Sequence, residues 1–268
     1  MKRNFISYFK KSKISEKNLK HGSIVARKSY KKDILFIIDR IIKTKNNDNI
    51  AILKGLTVRI VADSPLSDLV LINKPPQDNY LNKFNRSFIQ SDAIILHLDG
   101  DRRYSEKSAK YYKQAGLKAI VKNIPENKQA NFIKELLERY KPDILVITGH
   151  DAMLKNGSDK NNIYNYRNSK YFINTVREAR KWANSNEKLV IFAGACQSYF
   201  EAIMNAGADF ASSPGRILID FIDPLIVAQK IATTDVRKYI SINDIASFLS
   251  SGTNGISGTI VRGKKNPT

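Results

Sequence analysis

Cys196 is the only cysteine in a chain of 268 residues, and it stands where a nucleophile is useful. The apolar run Leu189-Val190-Ile191-Phe192-Ala193 reads as a buried strand, and Gly194-Ala195 carries the chain from it to the thiol. A second unit repeats the plan: Asp143-Ile144-Leu145-Val146-Ile147-Thr148 runs into Gly149-His150-Asp151, 46 residues before Cys196. In an open parallel sheet, reactive groups gather outside the carboxyl ends of the strands. Two such strands side by side bring an imidazole and a thiol into one crevice, the pairing of a cysteine nucleophile with its general base. The competing reading is a small core hydrophobe, the ordinary fate of a lone cysteine. Position favours chemistry, because Cys196 lies beyond the apolar run rather than within it. Gln197 to Ala206 reads as a helix, so the thiol is expected at a helix start, where the dipole favours a thiolate.

These side chains need a scaffold, and the pattern upstream supplies one. Ala93 to Leu98, Lys118 to Val121, Asp143 to Thr148, Leu189 to Ala193 and Ala208 to Ala211 read as strands. Helices are expected between them at 104–115, 126–140 and 169–183, the second with Phe132, Leu136 and Tyr140 on one face. This alternation predicts a three-layer, flavodoxin-like α/β domain over 93–268, with a parallel sheet between helices. The first 20 residues read as a basic tail. Short β-like runs at 23–27, 34–38, 50–53, 57–61 and 69–72 predict a small SH3-like β-barrel over 21–74. The polar stretch 75–92, opened by Lys74-Pro75-Pro76, reads as a linker, and 155–162 as a loop.

Composition limits the function classes. Hydrophobic residues make up 42% and charged residues 26%, the balance of a soluble globular protein. No apolar run reaches the roughly 18–20 residues that span a bilayer, and Met1 to Tyr8 lacks the apolar core of a signal peptide. A single cysteine forms no internal disulfide, which points to a reducing, cytoplasmic compartment. The net charge of +20 favours acidic partners, and its densest patch lies at 2–32. No recognisable nucleic-acid motif accompanies that patch, which reads equally as a cationic solubility tail or a nucleic-acid footprint, and nucleic acid stands as a possible but not the favoured partner.

His97-Leu98-Asp99-Gly100-Asp101 ends the first strand of the α/β domain and opens on the same crevice. Three readings compete for Asp99 and Asp101. They form a solvated turn, bind a divalent cation together with His97, or line an acidic specificity pocket that selects Arg or Lys. His21 reads as an exposed loop residue, Glu201 as a surface carboxylate and Trp182 as packing.

The order His before Cys, the 46-residue spacing and the dipeptide Ala195-Cys196 resemble the caspase-like cysteine peptidases, the group that includes gingipains, separase and clostripain. Those peptidases usually read His-Gly, whereas this chain reads Gly149-His150-Asp151, so the oxyanion N–H of the glycine falls to Asp151 or to a residue elsewhere. Caspases carry an arginine after their first strand that binds an acidic P1 side chain, and an aspartate in that place implies a basic P1. Glutamine amidotransferases of class I also place a cysteine at a strand-to-helix turn, but their histidine follows it.

Longer strings carry a closer resemblance. Val25-Ala26-Arg27-Lys28-Ser29-Tyr30, His97 to Asp101, Pro142 to Ala152 and Phe192 to Ser198 are similar to the YabG sporulation peptidases of spore-forming bacteria. The likeness runs from residue 21 onward with a divergent stretch at 74–92. It implies a cysteine endopeptidase of the mother cell that processes spore coat and related spore proteins, without a cofactor or a metal. Cys196 and His150 match the catalytic positions, with Gly149, Asp151, Gly194, Ala195 and Gln197 around the oxyanion and Asp99 and Asp101 as the S1 candidates. A preference for Arg or Lys exposes the enzyme's own basic stretches, 2–32 and the region of Lys83 and Arg86, to self-cleavage. The alternatives are a metal-dependent hydrolase built on His97, Asp99 and Asp101, and a non-enzymatic coat or nucleic-acid-binding protein.

Overall fold

The computed structural model describes residues 18–74, 91–154, 159–183 and 189–266. The expected tail and linker lie outside the described residues except at 18–20 and 91–92, as does 155–158 of the expected loop. Two compact units emerge, Met1–Asn79 and Tyr80–Thr268. Among the described residues no helix is long and apolar enough to cross a membrane.

The first unit is an antiparallel sheet of five strands: β1 (Ile24–Arg27), β2 (Leu35–Lys43), β3 (Asn49–Gly55), β4 (Val61–Pro65) and β5 (Leu69–Leu71), in the order β4-β3-β2-β1-β5. Alternation along β2 and β3 sends Phe36, Ile38, Ala51 and Leu53 inward, where they pack with Val25, Leu66 and Leu69. Two details differ from the sequence pattern. The run 57–61 is mostly irregular, with Gly55 N–H bonding Ile60 O at 2.8 Å and β4 beginning only at Val61. β2 continues to Lys43 past a register shift between Ile38 and Arg40, and its exposed second half pairs with β3 outside the core.

The second unit centres on a six-stranded sheet. Its elements, in chain order, are β6 (Ile94–Asp99), α1 (Arg102–Gln114), β7 (Lys118–Asn123), α2 (Glu126–Tyr140), β8 (Ile144–Thr148), α3 (Ser169–Ala183), β9 (Val190–Ala193), α4 (Phe200–Asn205) and β10 (Phe210–Ser212). Then follow α5 (Asp223–Thr233), β11 (Tyr239–Ile240), α6 (Ile242–Ile245), α7 (Gly252–Gly255), β12 (Ile256–Gly258) and β13 (Val261–Arg262). The sheet order is β12-β10-β9-β8-β6-β7. Five strands are parallel, and β12 returns antiparallel to β10, so the sheet is mixed where the sequence pattern predicts a parallel one.

Leu96, Leu98, Leu145, Ile147, Ile191 and Ala193 occupy alternate positions on β6, β8 and β9, and all belong to one buried cluster. That face packs against Ile133, Leu136 and Leu137 of α2 and Phe172, Val176 and Ala179 of α3. Phe132, expected inward, is 45% exposed, and the buried stripe instead runs through Gln129, Ile133, Leu136 and Leu137. On the other face, Tyr112 of α1 meets the His97 ring edge-on, and Tyr111 of α1 donates to Gln229 of α5 at 3.1 Å. The result is helix, sheet, helix, with the strand ends of β6, β8 and β9 on a common edge.

Candidate active site

β8 and β9 are neighbouring parallel strands, and Ile147 stands opposite Ala193 in their register. His150 lies three residues beyond Ile147, and Cys196 lies three residues beyond Ala193. The sheet therefore delivers the imidazole and the thiol from equivalent places on adjacent strand ends. Gly194 makes the exit after β9: its φ of 111° is one that L side chains rarely adopt, and its N–H bonds Ile147 O at 3.0 Å.

Cys196 is not at a helix start, contrary to the sequence expectation. Gln197 takes a left-handed φ of 55°, the Ala195 N–H is held by the Ser198 hydroxyl at 2.9 Å, and α4 begins only at Phe200. Among the described residues no helix N-terminus therefore stands at the thiol. Cys196 is 1% exposed, and its sulfur meets the backbone of Ile219 in the segment 217–221. Ile219 lies across the sulfur, its N–H donating to Sγ at 3.4 Å and its carbonyl accepting at 3.7 Å. Arg216 anchors this strap. Its buried guanidinium donates to the Tyr166 hydroxyl at 2.7 Å, pairs with Glu201 and lies over the rings of Tyr166 and Tyr199. Glu201 is thus an ion-pair partner of the strap, a role its surface position did not announce.

His150 sits between two carboxylates. Asp101 Oδ2 is 3.6 Å from Nε2, and Glu126 Oε1 is 3.8 Å from Nδ1. Glu126 Oε1 also accepts the His150 backbone N–H at 2.6 Å. Burial would push the Glu126 carboxyl up, but the His150 ring, the His150 N–H and Glu126's own N–H outweigh it and hold the carboxyl below the usual range. Among the described residues, His150 Nε2 has no hydrogen-bond partner, and the ring of Tyr104 lies 6.4 Å away.

Asp151 and the expected oxyanion residues turn out to organise the loops. The Asp151 carboxylate accepts the N–H groups of Ala152 (2.9 Å) and Asn168 (2.8 Å) and the hydroxyls of Ser169 and Ser198. Burial raises it to about 6 against the pull of those bonds. The N–H groups of Gly194, Ala195 and Gln197 are all engaged internally, Gln197 with Ile217 O and the Ser213 hydroxyl at 3.1 Å each. That removes these three from the set of ready oxyanion donors.

The acidic string at the end of β6 divides. Asp99 is fully buried, with Oδ1 accepting the Asp101 N–H at 2.9 Å and Oδ2 the Thr148 hydroxyl at 2.8 Å, so it is a support behind the site rather than a pocket wall. His97 is equally buried, its Nε2 on Thr148 Oγ1 at 2.7 Å and its Nδ1 on the Tyr112 hydroxyl at 3.2 Å. With both His97 nitrogens and both Asp99 oxygens employed inside, the three residues do not present a common set of ligands. Asp101 caps α1 through Oδ1, accepting from Arg103 and Tyr104 N–H, and turns Oδ2 towards His150.

Glu126 is the site residue that sequence reasoning missed. An acid in the first turn of a helix is ordinary, and it lies 24 residues before the histidine. The signal was in two glycines: a Cβ on Gly100 or Gly149 would collide with the Glu126 side chain.

The sequence profile of the family described as YabG peptidase U57 matches this chain over residues 20–93 and 74–267. The sporulation-specific protease YabG of Bacillus subtilis (strain 168) is 37% identical to it over 274 aligned residues, covering 90% of this chain and 94% of that protein. The match takes in both units and every residue of the site around His150 and Cys196, and the chain belongs to the YabG peptidase family.

Proposed function

We propose that this protein is a cysteine endopeptidase of sporulation, with Cys196 as nucleophile and His150 as general base. The observation that carries the reading is the equivalent placement of the two residues, each three positions beyond the Ile147–Ala193 pair of adjacent parallel strands. Family membership and the printed name of the Bacillus subtilis relative support the protease and sporulation elements. The layering and chain order support a caspase-like peptidase domain, preceded by an SH3-like β unit.

In this mechanism His150 takes the Cys196 proton, and the sulfur adds to the scissile carbonyl carbon. Main-chain N–H groups beside the two side chains, Asp151 and Cys196 foremost, receive the oxyanion. On collapse the C–N bond breaks and the imidazolium protonates the leaving amine. Water then attacks the thioester as His150 accepts its proton, the C–S bond breaks, the acyl group leaves as a carboxylate, and the proton on His150 returns to the Cys196 sulfur. Because Ile219 covers the sulfur, the strap 217–221 must yield before substrate reaches the thiol.

The substrates are spore coat and related spore proteins in the mother cell, cut after Arg or Lys. Asp101, with Asp99 fixing its backbone, supplies the negative charge for a basic P1 side chain. The basic stretch 2–32 and the region of Lys83 and Arg86 are then sites of self-processing. Incubating wild-type protein and Cys196→Ala with purified coat proteins and sequencing new N-termini tests the reading. New termini after Arg or Lys with wild type alone are expected, and equal cleavage by both proteins refutes it.

A further inference from the structure

We propose that Glu126 is the positioning residue of the site, fixing the His150 backbone and presenting a negative charge to its ring. The inference deepens the proposed function and rests on the reading of His150 as the base. Glu126 is the first residue of α2 and is largely buried, its side chain 14% exposed. One oxygen, Oε1, serves both contacts, 2.6 Å to the His150 N–H and 3.8 Å to Nδ1.

Space for that carboxylate is cleared by two other elements. Gly100 follows β6, Gly149 follows β8, and a methyl group on either would strike the Glu126 side chain. The start of α2 is tied to the same strand end a second time. The Gln129 side chain is buried and donates to Ile124 O and to Thr148 O, the last residue of β8, at 3.1 Å each. A favourable acid in the first turn of a helix explains Glu126 by itself. It does not explain two glycines just beyond neighbouring strands that make way for the carboxylate, nor its bond to the backbone of His150.

The ring is thus flanked at Nδ1 by Glu126 and at Nε2 by Asp101, with the Tyr104 ring at 6.4 Å. Asp151, next in the chain, turns its carboxylate to Ala152, Asn168, Ser169 and Ser198 instead. When His150 takes a proton, the charge that appears on the ring is met by a carboxylate already in place, which lowers the cost of the step. Asp101 must also cap α1, whereas both described contacts of Oε1 go to His150.

The test uses the full chain and a fluorogenic peptide taken from a mapped cleavage site. Glu126→Gln keeps an acceptor for the His150 N–H and removes the charge. It should retain the wild-type melting temperature and KM while kcat falls at least ~10-fold, within the range of general acid–base contributions. Gly149→Ala displaces the carboxylate without altering Glu126. It should lower kcat in the wild-type background and have no further effect in Glu126→Ala, because the two changes remove one interaction. Wild-type kcat in Glu126→Gln, or the same loss from Gly149→Ala in both backgrounds, overturns the proposal. His150→Ala, assayed alongside, separates the two levels. If it is inactive while Glu126→Gln is normal, only the role of Glu126 falls. If it remains active, the reading of His150 as base falls and takes this inference with it.

Discussion

The carboxylate of Asp151 accepts the Ser198 hydroxyl at 2.9 Å, joining the residue after His150 to the residue two positions after Cys196. The same carboxylate holds Ser169 at the start of α3, and the Ser198 oxygen in turn receives the Ala195 N–H. One buried acid therefore fixes both strand-end loops to a common frame. Ser198→Ala should cost about 1–3 kcal/mol, since the Ala195 N–H and an Asp151 oxygen each lose a partner away from water. Urea denaturation measures it, and unchanged stability would show that the two loops are held by other means.

That acid also has a pH signature. Burial lifts Asp151 to about 6 from the ordinary 3.8, so the folded protein holds its proton more tightly than the unfolded chain. Its contribution to stability is full below about 4 and is lost as pH rises through about 6. The stability difference between wild type and Asp151→Asn, followed by denaturation from pH 4 to 7, should shift against wild type across that window. A difference that moves in favour of wild type would contradict the assignment.

The strap over the thiol leads to a labelling experiment. Cys196 is 1% exposed beneath Ile219, so iodoacetamide should react with the folded protein far more slowly than with the urea-unfolded chain. Arg216→Ala removes the buried guanidinium that bonds Tyr166 and Glu201. With charged hydrogen bonds contributing roughly 1.5–3 kcal/mol each, labelling should accelerate about 10- to 100-fold. Equal rates in the two proteins would mean that Arg216 does not hold the strap down.

Asp101 faces two proposed duties, and a P1 scan separates them. If it receives the substrate's basic side chain, Asp101→Asn should lower kcat/KM for Arg and Lys peptides about 10- to 100-fold, the worth of a charged hydrogen bond, and leave apolar P1 peptides unchanged. A uniform loss across all P1 residues would assign Asp101 to His150 alone. Cleavage that prefers acidic P1 residues would refute the basic specificity outright.

Much of the frame was legible because buried parallel strands read as short apolar runs bounded by glycine and charge. β6, β8 and β9 fall within a residue or two of those runs, and the helices 126–140 and 169–183 coincide with α2 and α3. What escaped depended on tertiary contacts. The stretch after Cys196 has helical composition, but the Ala195 N–H held by the Ser198 hydroxyl and the left-handed Gln197 keep it out of the helix until Phe200. β12 is three residues long and becomes a strand only by pairing with β10. Asp99 and Asp101 look alike in sequence and differ because one points beneath the strand ends and the other caps α1. Glu126 was hidden by its ordinary place in a helix, and its part in the site rests on tertiary contacts, the bond to the His150 N–H and the two facing glycines.

The most direct test of the central claim is a double-mutant cycle on Cys196 and His150, scored as kcat/KM on a mapped coat-protein site. Residues that act as one unit are strongly non-additive. Cys196→Ala and His150→Ala should each cost at least ~10³-fold, and the double variant should be no slower than the worse single one. Two folded single variants with near wild-type rates, or losses that multiply in the double variant, would show that the thiol and the imidazole do not work as a pair.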